Sequence, residues 1–189
     1  MVDPTFTALA TPRLRLRRFR SDDVRALAAY RSDPDVARHQ SWDRFPEEDA
    51  RELVREMRTR HPGKPGEWFQ IAIGLGPQRE LIGDLGFHVL RYEPKQADIG
   101  YTLSRAHQGR GYATEAVRRL LQYAFDRLGL HRVIAGTDVE NARSIALLER
   151  IGFRREGTFV ESEWLKGRWC SEHRYAILDR EWHEVAVRV

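Results

Sequence analysis

The residues best suited to chemistry lie in Gln108-Gly109-Arg110-Gly111-Tyr112-Ala113-Thr114-Glu115-Ala116. Two glycines two residues apart can turn successive backbone amides toward one point. The apolar pattern that follows starts a helix at once, leaving its first N–H groups unpaired and its positive dipole end exposed. A phosphate or pyrophosphate is the natural ligand of such a joint. The same residues also make a strand-to-helix turn that binds nothing, so the rest of the chain has to decide between the two. No metal is expected, because His88, His107 and His131 lack the paired spacing of a metal site. Cys170 is read as an inert packed thiol in preference to a nucleophile.

Several elements must position that turn. A strand from Ala97 to Leu103 delivers the chain to it, and the helix beyond carries Ala113, Ala116, Val117, Leu120, Leu121, Ala124, Phe125 and Leu128 before Gly129 ends it. Arg132 to Thr137 is the next strand, and strand-helix-strand order predicts that it runs parallel to 97–103. Upstream, Trp68–Ile73 and Leu81–Leu90 join 97–103, through a turn at Tyr92-Glu93-Pro94-Lys95, in an antiparallel meander. Arg13-Leu14-Arg15-Leu16-Arg17 alternates as a first strand. Two helices follow, one capped by Ser21-Asp22-Asp23 and stopped at Asp33-Pro34-Asp35, the other opened by Pro46-Glu47. Asn141 caps a short helix that closes at Gly152, and Phe153–Trp164 and Trp169–Leu178 form a hairpin at Lys166-Gly167. The expected fold is α/β, one domain over residues 1–189, with a mixed, centrally parallel sheet of about seven strands and about four flanking helices.

The chain has 189 residues, a size that supports a core without disulfides, and its one cysteine excludes a disulfide framework. A reducing, cytoplasmic setting is expected, since no stretch approaches the ~18 apolar residues of a membrane span. Thirty-two Lys and Arg nearly balance 28 Asp and Glu, and the arginines are scattered. Direct nucleic-acid binding is therefore not expected, and a polyanionic small ligand needs only a few of those arginines.

Together these residues resemble the GCN5-related N-acetyltransferases (GNAT). The pattern Gln/Arg-x-x-Gly-x-Gly/Ala stands here as Gln108-Gly109-Arg110-Gly111-Tyr112-Ala113. Asp98-Ile99-Gly100-Tyr101-Thr102-Leu103 resembles the family's fourth strand, and Asn141 through Gly152-Phe153 its Asn-led helix and the opening of its sixth strand. The closest resemblance is to the RimJ/RimL-like branch, through Asp98-Ile99-Gly100-Tyr101, Ser144 and Glu163-Trp164-Leu165-Lys166-Gly167-Arg168-Trp169. That branch includes enzymes that acetylate the N-terminal amine of ribosomal proteins.

The resemblance implies acetyl-CoA as co-substrate, its pyrophosphate held by Gln108, Gly109, Arg110, Gly111, Tyr112, Ala113 and Thr114, and its pantetheine arm by the edge at Tyr101, Thr102 and Leu103. Asn141 is expected on the same arm or as a plain cap. Glu163 is the first choice for the base and Asp98 the second, each also readable as a carboxylate paired with an arginine. Many family members place a tyrosine seven residues after the Asn to protonate the thiolate; Leu148 stands there, so Ser144 is the expected substitute. A backbone N–H at or beside Leu103 is expected to meet the oxyanion. The expected acceptor is a primary amine, first a protein or peptide N-terminus, then a polyamine or aminoglycoside, with loops 31–48 and 158–170 setting the choice. A non-catalytic acyl-CoA sensor, and a monomer or homodimer, stay open.

Overall fold

The computed structural model describes residues 2–93 and 95–186, so Pro94 of the expected turn lies outside the described residues. The strands are β1 (Ala8–Ala10), β2 (Leu14–Arg17), β3 (Trp68–Leu75), β4 (Glu80–Val89), β5 (Gln96–Leu103), β6 (Arg132–Asp138), β7 (Arg154–Leu165) and β8 (Arg168–Leu178). They form one sheet in the order β1-β2-β3-β4-β5-β6-β8-β7. The helices are α1 (Val24–Arg31), α2 (Pro34–Ala37), α3 (Glu47–Thr59), α4 (Tyr112–Gln122), α5 (Ala142–Ile151) and α6 (Asp179–Ala186). Among the described residues there are eight strands and six α-helices, against the expected seven or so and four or so. The extra strand, β1, has three residues, too few to show a period, and is held by pairing Leu9 with Leu16. The extra helices are α2 and α6; α2 arises where α1 was expected to stop, because the Asp33 side chain accepts from the Asp35 N–H at 3.0 Å and Pro34 takes the first position.

Every neighbouring pair is antiparallel except β5 and β6. Their parallel register covers only Gln96↔Arg132, Ala97↔Val133 and Asp98↔Ile134. Beyond Asp98 the two strands part, although β5 runs on to Leu103 and β6 to Asp138. A wedge therefore opens in the middle of the sheet.

Side-chain alternation gives the sheet one apolar and one polar central face. Phe69, Ile71, Ile73, Leu85, Phe87, Ile99 and Leu103 share the first by register. Against it lies α4, whose Ala116, Val117, Leu120 and Leu121 are completely buried. Burial of a Val or Leu side chain stabilises by about 1.5–3 kcal/mol, so this stripe fixes α4 on the sheet. The helix runs on into a π turn, Tyr123–Arg127, whose Tyr123 hydroxyl donates to Asp3 at 2.8 Å.

The opposite face carries Gln70, Asp84, His88, Asp98 and Thr102. Helix α1 crosses it and satisfies Asp84: the Tyr30 hydroxyl and the Arg31 guanidinium both donate to that carboxylate at 2.5 Å. The Arg31–Asp84 pair is almost wholly buried, so neither charge can be left without the other. The Arg31 guanidinium also lies 4.7 Å from the ring centres of both Trp42 and Phe45. Arg31 thereby ties the start of the connection between α1 and α3 to the sheet.

Candidate active site

Peptide groups in an antiparallel ladder point alternately to either side. The Ser104 N–H donates to the Ile82 carbonyl of β4 at 2.9 Å, so Thr102 also faces β4, whereas Tyr101 and Leu103 face the side β6 has left. The Leu103 carbonyl is taken by Gln108 Nε2 at 3.0 Å. The Tyr101 peptide groups and the Leu103 N–H are turned into the wedge, an open strand edge. Thr102, grouped with them on sequence, is buried, with its peptide on the β4 side.

The glycine turn lies at the end of this edge. Gly109 and Gly111 have φ of 74° and 79°, the left-handed region, and Gly111 is the N-cap of α4. With no cap side chain, the first helical bond runs from the Glu115 N–H to the Gly111 carbonyl. The Tyr112, Ala113 and Thr114 amides precede that bond. Gln108 braces the turn, since its side chain also accepts from Arg143 at 2.6 Å. Arg110 is exposed, and its carbonyl accepts from Arg13 Nη1 at 3.0 Å.

Arg13 also binds Glu115 at 2.6 Å and lies 4.6 Å over the Tyr112 ring. Burial acts to raise the Glu115 carboxyl, but hydrogen bonds from Thr11 and Arg13 outweigh it and hold the group below its ordinary range. The acid in the first turn is thereby committed to the β2 side. Arg13 and Arg143 were not legible as site residues: Arg13 reads as one charge in an alternating strand, and its partner Glu115 is 102 residues away.

On the α4–α5 side, the Asn141 carboxamide oxygen accepts from the Ser144 N–H at 3.1 Å, which makes it the cap of α5. Ser144 Oγ lies 2.6 Å from the Tyr101 hydroxyl. Burial pushes the Tyr101 phenol up to about 12, so it stays protonated and able to donate at neutral pH. Leu148 is completely buried core. The phenol beside Ser144 is supplied by β5. Sequence reasoning used only the backbone of Tyr101, yet strand alternation already puts its side chain on the face opposite Asp98.

On the other face, burial raises the Asp98 carboxyl to about 6; Arg174 opposes the rise, and Glu172 and Glu163 add to it. Glu163 is half-buried on β7, in register with Cys170. Glu172, on β8, had no place in the sequence reading; burial raises its carboxyl too, against Arg174, with Glu163 adding. Among the described residues, no three such groups converge closely enough to hold a metal ion. The β7–β8 hairpin turns at Lys166 and Gly167, with φ of 51° and 77°, and reaches α2, where Lys166 Nζ donates to the Ala37 carbonyl at 2.8 Å. Trp164 and Trp169 pack edge to face on this hairpin and stay more than half exposed. Segments 31–48 and 158–170 therefore meet. Tyr101 with Ser144, and Asp98 with the other acids, lie on opposite faces of the sheet, and the wedge is the opening between them.

An acetyltransferase (GNAT) domain model matches residues 13–154, and the chain belongs to that family. It is an acetyl-CoA-dependent N-acetyltransferase. The N-acetyltransferase p20 of Bacillus licheniformis is 34% identical over 175 residues, covering 92% of this chain and 97% of that one. The ribosomal-protein-serine acetyltransferase of Escherichia coli is 30% identical over 144 residues, 75% of this chain and 78% of that one, which bears out the RimJ/RimL-like resemblance. A GNAT-family acetyltransferase structure from Bacillus anthracis superposes with a TM-score of 0.82 at 32% identity, over 92% of this chain and 99% of that one. The open strand edge, the unpaired first-turn amides and the wedge fit acetyl-CoA. Among the described residues no helix is long and apolar enough to cross a membrane.

Proposed function

We propose that this chain, acting as one domain, acetylates a primary amine by direct attack in a ternary complex, with a protein or peptide N-terminal α-amine as acceptor. The observation that carries the reading is the parting of β5 from β6 after Asp98, with Ser144 on one side of the opening and Asp98 on the other. When bound, acetyl-CoA supplies the acyl group as a thioester. Asp98 takes the proton that leaves the acceptor nitrogen. What supports it ahead of Glu163 is its burial at the closed end of the wedge and a carboxyl raised to about 6. The Leu103 N–H meets the oxyanion, and the Ser144 hydroxyl donates to the departing sulfur while Tyr101 donates into Ser144 Oγ.

A base of this strength discriminates between amines. An α-amine has a reference pKa near ~8 against ~10.4 for lysine, so deprotonating the lysine amine costs about 3 kcal/mol more. That difference favours an N-terminus. The grouping of Asp98, Glu163 and Glu172 supports a second reading, a small polycation such as a polyamine, whose extra charges those acids attract. CoA release measured with N-terminal peptides, lysine-only peptides and polyamines separates the two. Preference for blocked-lysine peptides with free N-termini is the expected result; turnover on polyamines alone would reject the peptide acceptor.

Tyr101→Phe keeps the ring and deletes the hydrogen bond to Ser144. The expected outcome is a fall in kcat of about three- to tenfold, the worth of one such bond, with acetyl-CoA affinity unchanged. A change in affinity alone would give Tyr101 a binding role instead.

A further inference from the structure

Glu172 occupies an unusual seat. Gly136 of β6 is in register with Arg174 of β8, and a Cβ built on Gly136 would lie 1.8 Å from Glu172 Oε1. The Glu172 side chain therefore crosses β6 through the space that the glycine leaves. Arg174 Nε holds the carboxylate there at 2.5 Å. Gly136 stands two residues beyond Ile134, the last partner of Asp98 in the parallel register, so this crossing point lies where β5 and β6 have just separated. Across the gap, Gly100 has nothing within 4 Å of its Cβ position, leaving open space beside Asp98. Side-chain alternation puts Asp98, Gly100, Gly136 and Glu172 on one face of the sheet.

We propose that Glu172 is a positioning residue for Asp98: seated over Gly136, it sets a second negative charge beside the wedge and so holds Asp98 as an effective proton acceptor for the amine. This rests on Asp98 as the base. The proton passes from the acceptor nitrogen to the Asp98 carboxylate, and Glu172 takes no part in the transfer itself. The groups facing Asp98 are Glu172 and Arg174 of β8, Glu163 of β7 and His88 of β4, its cross-strand partner. Burial lowers the His88 imidazole below its ordinary value, so it adds no charge at neutral pH. Of the two added carboxylates, Glu172 counts for more at Asp98 than Glu163.

A neighbouring negative charge raises a carboxyl pKa, so removing it lowers the pKa and moves the acid limb of the pH–rate profile to lower pH. In Glu172→Gln, the limb in kcat/KM should move down by about half to one unit, leaving about three- to fivefold more of the plateau activity at pH 5. Gly136→Ala, which keeps Glu172 but expels it from its seat, should move the limb the same way. Asp98→Asn serves as the reference, and acetyl-CoA affinity checks that each variant is folded. If the limb stays in place in both Glu172→Gln and Gly136→Ala while Asp98→Asn abolishes it, the role of Glu172 is wrong and the base stands. If Asp98→Asn leaves the limb untouched, the base itself is wrong.

Discussion

Asp98→Asn is expected to lower kcat/KM for the amine at neutral pH by about two to three orders of magnitude, within the range for loss of a positioned general base. The substitution is nearly isosteric, so the strand and the wedge are kept and acetyl-CoA affinity should change little. The pH dependence is the sharper signature. A carboxyl raised to about 6 is mostly ionised at pH 7 and mostly protonated at pH 5, so activity in the parent enzyme should rise through pH 6. In the variant that limb should vanish, leaving only the limb set by the acceptor amine. Glu163→Gln provides the contrast. Half-exposed on the hairpin, Glu163 acts on Asp98 only as a weaker charge, so its loss should leave the limb in place with a small downward shift. The reverse pattern, with the limb lost in Glu163→Gln and retained in Asp98→Asn, would hand the base to Glu163.

How far this site could be read from the sequence depended on whether its parts are local. The glycine turn, the cap at Asn141 and the parallel relation of β5 and β6 are short-range consequences of residue type and order, and all were legible. So was the hairpin at Lys166-Gly167. What escaped needed two distant segments at once. Arg13 becomes part of the turn only because β2 begins beside α4, and Glu172 gains its position only because Gly136, 36 residues earlier, leaves room for it. The short elements β1 and α2 escaped for another reason: three or four residues carry no period, and pairing or capping partners decide their conformation. Strand parity is an intermediate case. It divides Asp98 from Tyr101 without any structure, and that division puts the proposed base and the proposed thiol-side donor on opposite faces.

The same division predicts that the donor side can be damaged alone. Gly111 has φ of 79° and is the N-cap of α4, a conformation that a β-branched residue enters only at a cost of about 1–3 kcal/mol. Its Cβ position is also 3.4 Å from the Arg13 guanidinium, which is fixed by Glu115 and the Arg110 carbonyl and has little freedom to withdraw. Gly111→Val must therefore rotate the turn, moving the Tyr112 and Ala113 amides away from a shared anion. The expected result is a rise of about tenfold or more in the dissociation constant for acetyl-CoA, the affinity equivalent of that strain. Turnover at saturating acetyl-CoA should be largely retained, since Asp98, Tyr101 and Ser144 stand on other elements. Pantetheine, which lacks the pyrophosphate, locates the loss: it should bind both proteins equally, because the amides that were moved never meet it. Normal affinity for intact CoA in Gly111→Val would mean that the turn shapes the start of α4 and holds no phosphate.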